Sequence, residues 1–386
     1  MNTSPTRLSW DIFCTVVDNF GDIGVCWRLA RQLVRDQGQA VRLWVDNLAS
    51  FRRICPEVDP TLSEQEVGGV RIGLWADPFP EVPPAQVVIE AFACRLPANY
   101  LATMATQEVR PVWINLEYLS AEPWVAGCHG MASPHPTLPL VQYFYFPGFT
   151  VDTGGLLREA DLISRRREFL THPERRLAFL SDLGVRPAPA EVLVSLFCYD
   201  HQPISGLLDA WAEGSESMFC LVPEGPALAE ISTWSKGILN RVGDSYSRGQ
   251  LRLQVIPFLR QENYDPLLWC CDLNFVRGED SFVRAQWAAH PLVWQIYPQE
   301  DEAHQIKLEA FLALYAATLP SAVQSHISAF WKAWNTGGTS QAFQQAWLAY
   351  WQHRQLFADH ARYWAEHLES QTDLAAGLVQ FCLNKL

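Results

Sequence analysis

Short apolar runs alternate with polar, helix-forming segments along most of the chain. Such alternation is typical of parallel strands that are connected by helices and buried on both faces. In the first half, the runs that predict strands are residues 11–17, 41–45, 70–75, 87–91 and 112–116. In the second half they are residues 191–199, 218–222, 251–258, 273–276 and 292–297. The pattern therefore predicts an α/β fold with two parallel sheets, each covered by helices on both faces.

A segment rich in turn-forming residues separates the two sets of strands. Gly184, Pro187 and Pro189 lie between a basic, helix-like stretch and the strand at 191–199. Because glycine and proline interrupt regular structure, the sequence predicts a linker here, with a first domain over 1–185 and a second over 190–361. Beyond Glu302 the apolar spacing is helical, and it predicts the following helices: 304–319, 322–334, 340–357, and 359 to the end.

The stretch at 275–282 combines a strand end, a glycine turn and the start of a helix. Gly278 permits the tight turn, and Asp280 or Ser281 is a suitable helix N-cap. A helix N-terminus presents backbone N–H groups and the positive end of the helix dipole, which suit a phosphate. Arg277 adds donors that match phosphate oxygens. The alternative is a capped helix start with Arg277 in a surface salt bridge, and spacing alone does not decide between the two.

An acidic loop that contains glycine follows the first predicted strand. Asp18, Gly21, Asp22 and Gly24 lie in this loop, and the apolar spacing predicts a helix over about 25–37. Open α/β sheets bind ligands at the carboxyl ends of their strands, so one aspartate could face a cleft as a base or as an anchor for a cation. Alternatively, Asp18 ends the strand and Asp22 caps the helix. The glycine spacing does not match the dinucleotide-binding fingerprint.

Several other residues that end predicted strands are weaker candidates. Glu90 and Glu117 end apolar strands, and structural pairing is the simpler interpretation for both. Phe197 and Tyr199 are two residues apart and so point to the same face of a strand. They could stack on a bound ring or pack in a core. Residues 143–149 form an aromatic cluster that could be core or could line an acceptor surface.

Composition and charge exclude several classes of protein. The net charge of −13 and the pI near 5.2 argue against nucleic acid or an anionic membrane as a partner. The first residues lack a signal pattern and no apolar run reaches membrane length, so we expect a cytoplasmic protein. The ten cysteines are scattered, and Cys270 and Cys271 are expected to be buried thiols. We expect residues 128–139, which include two histidines, to be a loop without zinc.

Three motifs make the chain similar to a known family. They are DNFGDIGVCWRLARQL at 18–33, SLFCY at 195–199 and FVRGEDSFVRAQ at 275–286. The chain resembles the protein-arginine rhamnosyltransferases that modify elongation factor P in bacteria, and the resemblance covers essentially its whole length. These are GT-B glycosyltransferases, so the resemblance implies two Rossmann-like domains that face each other across a cleft. It also implies that a C-terminal helix at about 362–386 packs back on the first domain.

The resemblance implies a reaction and the residues that perform it. The reaction is inverting transfer of L-rhamnose from dTDP-β-L-rhamnose to a single arginine side chain of elongation factor P, with no metal and no cofactor. By the same resemblance, Asp22 is the catalytic carboxylate, and Asp18 and Glu279 are also needed for activity. The donor-binding residues that it implies are Phe197, Tyr199, Phe258, Gln261, Arg277, Asp280, Ser281 and Tyr297.

The chemistry of this transfer is consistent with those residue types. A guanidinium group is charged and poorly nucleophilic, so a carboxylate must orient it and accept its proton as the new bond forms. Arg277 and a helix N-terminus can stabilise the leaving diphosphate without a metal. The alternatives are a nucleotide-sugar epimerase, a transferase for a small molecule, or a non-enzymatic sensor of nucleotide sugars. No residue pattern by itself distinguishes rhamnose from another deoxysugar.

Overall fold

The computed structural model describes residues 7–18, 20–200, 203–299 and 303–386. Contacts between Cα atoms divide the chain into two compact units, which are described separately. The first contains residues up to Ala160 together with Glu369–Leu386, and the second is Asp161–Leu368. Within the described ranges, no helix has both the length and the apolar content that a bilayer span requires.

The first unit is a parallel sheet with antiparallel edges. Its elements are β1 (Ser9–Cys14), α1 (Gly21–Arg35), β2 (Ala40–Val45), α2 (Leu48–Ile54), β3 (Glu64–Val67), β4 (Val70–Leu74), β5 (Val87–Ala91), α3 (Ala98–Thr106), β6 (Val112–Leu116), α4 (Val125–Cys128), β7 (Ala132–Pro134), β8 (Val141–Tyr145) and α15 (Leu374–Leu383). The strand order is β3-β4-β2-β1-β5-β6-β8-β7. The β3–β4 and β7–β8 pairs are antiparallel, and the other neighbours are parallel.

Both faces of this sheet are buried, as the apolar strands require. On one face, Phe13 of β1 meets the rings of Trp44, Phe79 and Tyr100 at centroid distances of 6.2, 5.6 and 4.8 Å. On the other face lies α1, whose apolar stripe is buried. The α15 helix packs on α1. Asp373 caps α15, and Gln32 of α1 donates to its carboxylate at 2.8 Å.

The second unit is a second sheet of the same kind. Its elements are α5 (Leu162–Thr171), α6 (Pro173–Asp182), β9 (Val192–Leu196), α7 (Ile204–Ala212), β10 (Met218–Pro223), α8 (Leu228–Trp234), β11 (Ser245–Arg248), β12 (Leu251–Ile256), α9 (Gln261–Cys270), β13 (Leu273–Arg277), α10 (Asp280–Ala288), β14 (Leu292–Gln295), α11 (Ala303–Tyr315), α12 (Ser321–Thr336), α13 (Ser340–Trp351) and α14 (Arg354–Glu369). The strand order is β11-β12-β10-β9-β13-β14, and only the β11–β12 pair among these described strands is antiparallel.

A buried ion pair joins two helices of the second unit. Arg284 on α10 donates to both carboxylate oxygens of Asp265 on α9, at 2.7 and 2.6 Å. Both side chains are almost fully buried, with exposed fractions of 0% and 5%. Two parallel hydrogen bonds are the geometry that lets an ion pair compensate for its desolvation. The pair therefore fixes α9 against α10, the two helices that begin at the carboxyl edge of the sheet.

The central strands agree with the prediction from the apolar runs, except for β8, which lies largely in the stretch predicted only as an aromatic cluster; the α/β fold class is confirmed. The antiparallel edge strands β3, β7 and β11 were not predicted, and β7 lies inside the stretch at 128–139 that was expected to be a loop. The helix predicted over 340–357 is two helices, α13 and α14, and the predicted last helix is split between α14 and α15.

The division of the chain falls at Ala160 and Asp161, before the predicted linker at 185–190. The reason is packing: α5 and α6, which precede the linker, both contact α9 of the second unit. The linker residues are therefore internal to the second unit. At the other end of the chain, α15 belongs to the first unit and most of α14 to the second.

Candidate active site

Each sheet has one point where the strand order reverses, and ligands bind to open α/β sheets at such points. In the first unit the reversal lies between β1 and β5, and in the second it lies between β9 and β13. Asp18 and Asp22 follow β1, Phe197 and Tyr199 follow β9, and Arg277 ends β13. Five of the residues singled out from the sequence therefore lie at the two reversal points.

The Arg277 guanidinium lies between two aromatic rings. Its Cζ atom is 4.4 Å from the centre of the Phe197 ring and 4.6 Å from that of Tyr199. One of its Nη atoms donates to the Cys198 carbonyl at 3.2 Å. Arg277 is only 6% exposed, and removal from water strengthens a cation–π interaction. Arg277 is thus a buried, fixed cation rather than a surface side chain. Phe197 and Tyr199 both contact it, although they lie just after β9 rather than within the strand.

The glycine turn that was predicted between strand and helix is present. Gly278 has a φ of 59°, in the left-handed region that favours glycine. Its N–H donates to the Gln295 carbonyl at 3.0 Å, and its own carbonyl accepts from the Trp294 indole at 2.6 Å. These bonds hold the start of α10 against β14. The first N–H groups of α10 point out of the helix, because the first N–H groups of any helix have no acceptor within it.

The helix cap differs from the prediction. The N-cap of α10 is Glu279, whereas the sequence favoured Asp280 or Ser281. The Ser281 hydroxyl accepts from the Arg277 N–H at 3.0 Å and donates to the Arg277 carbonyl. A small hydroxyl residue in the first turn suits either an N-cap or a tie to the preceding strand, so the sequence alone does not distinguish the two. Its role is to tie α10 back to the end of β13.

The start of α9 lies against the start of α10. Gln261, which is 4% exposed, donates from Nε2 to the Asp280 carboxylate at 3.4 Å. Tyr264, one turn further along α9, packs its ring on Phe197 with the centroids 5.8 Å apart. Phe258 is half-buried in the segment that connects β12 to α9. The carboxylate of Asp280 thus holds the side chain of Gln261.

Gln295, the last residue of β14, and Tyr297, which follows the strand, complete this group in the second unit. Tyr297 is 38% exposed, and its ring meets that of Tyr199 edge-on at 5.7 Å. Gln295, which was not singled out from the sequence, accepts the Tyr199 N–H on Oε1 at 2.7 Å. Its Nε2 atom is buried and has no acceptor among the residues that the structure describes. A buried donor of this kind is costly unless something accepts from it, and a ligand oxygen could do so.

In the first unit, the Asp22 carboxylate turns back from the first turn of α1 to the loop before it. Its Oδ2 atom accepts the N–H groups of Val17 and Asp18, each at 2.8 Å. Its Oδ1 atom lies 3.3 Å from the Tyr118 hydroxyl, which donates to it. The N-cap of α1 is Phe20, so Asp22 organises the loop rather than capping the helix.

Burial changes the acidity of Asp22. The residue is 2% exposed, and desolvation raises the pKa of its carboxyl above the ordinary value. The hydrogen bonds from the Asp18 and Val17 N–H groups and from the Tyr118 hydroxyl act in the opposite direction and keep the rise partial. A carboxylate with a raised pKa is a stronger base, which suits proton acceptance.

Asp18 lies directly against the start of α1. Its carbonyl accepts the Gly21 N–H at 2.6 Å, and a Cβ atom at position 21 would lie 2.5 Å from Asp18 Oδ2. The absence of a side chain at Gly21 therefore makes room for the Asp18 carboxylate. The helix begins at Gly21 rather than at Val25 as predicted, and Asn19 of the same motif lies outside the described residues.

The weaker candidates have structural roles. Glu90 accepts three hydrogen bonds, from the Arg95 N–H at 2.9 Å, Trp113 Nε1 at 3.1 Å and Gln142 Nε2 at 2.9 Å. The Glu117 carboxylate accepts from Asn115 at 2.7 Å. The aromatic cluster at 143–149 lies largely in β8, where Tyr143 and Tyr145 pack on a ring of α15 at position 381. The two tyrosines thus form part of the contact between β8 and α15.

The two histidines in the stretch 128–139 accept backbone hydrogen bonds. His129 accepts the Phe146 N–H at 3.1 Å, and His135 accepts the Leu138 N–H at 3.0 Å. The ten cysteines, all in described residues, are free thiols, and Cys270 and Cys271 are buried as predicted. In the ranges that the structure covers, no three His, Cys, Asp or Glu side chains are grouped closely enough to hold a metal ion.

Comparison with known proteins agrees with the resemblance seen in the motifs. A family model described as Elongation-Factor P (EF-P) rhamnosyltransferase EarP matches residues 10–383. A protein-arginine rhamnosyltransferase from Pseudomonas aeruginosa is 49% identical over 97% of this chain and 98% of its own length. Another of the same name, from Pseudomonas putida, is 50% identical over 98% of this chain and 100% of its own length.

A solved structure is similar as well. It is described as the structural basis for EarP-mediated arginine glycosylation of translation elongation factor EF-P. It is 38% identical, covers 98% of this chain and 100% of its own chain, and superposes with a TM-score of 0.71. The family model, these relatives and the solved structure each match nearly the whole length of the chain. The chain belongs to the EF-P rhamnosyltransferase (EarP) family of GT-B glycosyltransferases.

Proposed function

We propose that this chain transfers L-rhamnose from dTDP-β-L-rhamnose to one arginine side chain of elongation factor P, with inversion at the anomeric carbon. The family supports the sugar and the acceptor. The observation that carries the mechanism is the buried Arg277 guanidinium, fixed between Phe197 and Tyr199 at the reversal point of the second sheet. This residue supplies a fixed positive charge where sheets of this kind bind their ligands.

The donor half of the proposal rests on charge. Cleavage of the bond between sugar and phosphate increases the negative charge on the departing nucleoside diphosphate. Because Arg277 is already held in place, it stabilises that charge without a costly rearrangement, and the N–H groups at the start of α10 act in the same way. We assign the diphosphate to Arg277 and α10, supported by Ser281, which ties α10 to the strand end. The proposal needs no metal, because these groups supply the positive charge.

The remaining donor residues surround this cation. We assign the nucleoside to Phe258 and Gln261, and the rest of the donor to Phe197, Tyr199 and Tyr297. A carboxylate beside a diphosphate would repel it. Asp280 instead accepts from Gln261, so we assign it to positioning that side chain rather than to touching phosphate.

The acceptor half of the proposal rests on Asp22. The pKa of a guanidinium is above about 12, so a carboxylate does not deprotonate it in the ground state. As the bond to the sugar forms, the attacking nitrogen becomes acidic, and Asp22 accepts its proton late. Burial raises the pKa of Asp22, which favours this step. We assign Asp18 to holding the cationic acceptor, and we retain Glu279, the N-cap of α10, as a further carboxylate needed for activity.

The test is the intact mass of elongation factor P after incubation with this chain and dTDP-β-L-rhamnose. We expect a single rhamnosyl addition, lost when the acceptor arginine is replaced, and an α-linkage by NMR. No addition with this donor would refute the proposal. Donor consumption without elongation factor P would favour an epimerase or a transferase for small molecules. Binding of dTDP without turnover of any donor would favour a sensor. Because the acceptor is a translation factor, we place the reaction in the cytoplasm.

A further inference from the structure

A strained turn follows β5 at the reversal point of the first sheet. Phe92, Ala93 and Arg95 have φ angles of 57°, 54° and 57°, a region that residues other than glycine seldom adopt. The buried Glu90 carboxylate fixes the turn by accepting the Arg95 N–H at 2.9 Å. The Phe92 N–H donates to the Leu116 carbonyl at 2.7 Å, at the end of β6. Such strain persists only where the surroundings determine it, and it is concentrated at functional sites.

The turn places one aromatic ring on another. Phe92 stacks on Tyr118, with the centroids 4.4 Å apart and the planes 16° from parallel. Tyr118 lies two residues after the end of β6, so its ring is supported by both the strand end and the turn. The other end of the Tyr118 side chain is the hydroxyl that donates to Asp22. A chain of contacts therefore leads from Glu90 through the turn to the carboxylate.

The two oxygens of Asp22 are not equivalent. Oδ2 already accepts two N–H groups, so Oδ1 is the oxygen to which an acceptor nitrogen can give its proton. The hydroxyl of Tyr118 is 3.3 Å from Oδ1, longer than the usual 2.7–2.8 Å for such a bond. The hydroxyl thus orients Oδ1 while binding it weakly enough for a guanidinium N–H to share the same oxygen.

We propose that Tyr118 is a positioning residue, which aims Asp22 Oδ1 at the acceptor arginine, and that the strained turn at Phe92–Arg95 holds Tyr118 in place. This inference rests on the proposed role of Asp22. It explains why a turn with three left-handed residues is maintained at the reversal point of the first sheet. It also gives a role to the buried Glu90, which the transfer reaction does not otherwise use.

The hydroxyl has an electrostatic consequence that packing alone would not have. It stabilises the ionised form of Asp22, so its removal raises the pKa of that carboxyl. Among the described residues, the other titratable groups near Asp22 include Asp18 in the same loop, Asp46 after β2, the Cys14 thiol on β1 and the Cys26 thiol on α1. None of them is altered by Tyr118→Phe, so a changed titration of Asp22 in that variant reports on the lost hydroxyl.

The experiment compares wild type, Tyr118→Phe and Tyr143→Phe. Tyr143 lies in the same unit but packs on α15, so the control removes a hydroxyl without touching Asp22. We expect kcat to fall about tenfold in Tyr118→Phe, the loss typical of a hydrogen bond to a charged group. We also expect an unchanged Kd for dTDP and an acidic limb of the pH–rate profile that moves to higher pH. Tyr143→Phe should match wild type in all three.

A second measurement does not depend on turnover. Aspartate labelled with 13C at the carboxyl carbon is titrated by NMR, and the Asp22 signal is identified by its loss in Asp22→Asn. We expect the Asp22 pKa to be higher in Tyr118→Phe than in wild type. Wild-type kcat and pH profile in Tyr118→Phe, or an unchanged Asp22 pKa, would overturn the inference while leaving transfer by the wild type intact. Failure of the wild type to modify elongation factor P would instead overturn the proposed function.

Discussion

Replacement of Arg277 tests the donor half of the account. The Arg277→Ala change removes the buried cation between Phe197 and Tyr199 and the donor to the Cys198 carbonyl. A hydrogen bond to a charged group contributes about 1.5–3 kcal/mol, and Arg277 is proposed to supply at least one to the diphosphate. At 1.4 kcal/mol for each factor of ten, the Kd for dTDP should rise about 10- to 150-fold.

Arg277→Lys separates charge from shape. A lysine keeps the positive charge but not the planar fork that stacks between the two rings and binds two oxygens at once. We therefore expect its dTDP affinity to fall between those of wild type and Arg277→Ala. Isothermal titration calorimetry at fixed ionic strength measures all three, because the affinity of an anion for a cationic site depends on salt.

The matched control for this series is Arg252→Ala. Arg252 also lies over an aromatic ring, with Cζ 3.5 Å from the centre of Phe219, and it pairs with Glu191. It is near the start of β12, at the opposite end of the strand from the proposed site. Arg252→Ala should bind dTDP like wild type. If Arg277→Ala also binds dTDP within about twofold of wild type while its thermal unfolding is unchanged, the donor site is wrongly assigned.

Three further changes test the stability of the second unit and the loop that carries the aspartates. Asp265→Asn removes the carboxylate that pairs with the buried Arg284 guanidinium and should lower the free energy of unfolding in urea by about 3–5 kcal/mol; a loss below about 1 kcal/mol would contradict this reading. Gly21→Ala places a Cβ atom 2.5 Å from Asp18 Oδ2, so transfer should fall at least about tenfold with an unchanged circular dichroism spectrum, and full activity would show that the Asp18 position is not critical. Burial raises the pKa of Asp22 above 3.8, so its contribution to stability is complete below that pH and is lost as the pH rises through the raised value. Relative to wild type, Asp22→Asn should therefore gain unfolding free energy between about pH 3 and pH 7, and a relative loss over that range in a urea series would contradict the sign.

Much of the fold could be predicted because its signals are local. Each central strand is a short apolar run, and such a run is interpretable without knowledge of its partners. The strands β3, β7, β8 and β11 were missed because they are short and partly exposed, so no buried apolar run marks them. The break between α13 and α14 has no glycine or proline to mark it. Packing decides that boundary, and packing is not visible in spacing.

The site residues likewise divide into those that the local sequence marks and those that only long-range contacts bring into the site. Strand ends and turn residues such as Arg277 and Gly278 are marked by their local sequence, so the sequence suggested them directly. The contact of Asp22 with Tyr118 joins residues 96 positions apart, and no local pattern predicts it. The same holds for Gln295, whose side chain meets the N–H of Tyr199 across the sheet. For both, an aromatic or polar residue at the end of an apolar strand was the only available signal.

The most direct test of the central claim is the single-turnover rate of rhamnose transfer by Asp22→Asn, with the enzyme in excess over elongation factor P and with dTDP-β-L-rhamnose saturating. The amide preserves the size of the side chain and can still accept the two loop N–H groups, but it does not accept a proton. The account predicts a rate at least about a hundredfold lower than wild type, the typical contribution of a general base, with an unchanged Kd for dTDP. A rate above about a hundredth of wild type would contradict the assignment of Asp22 as the base.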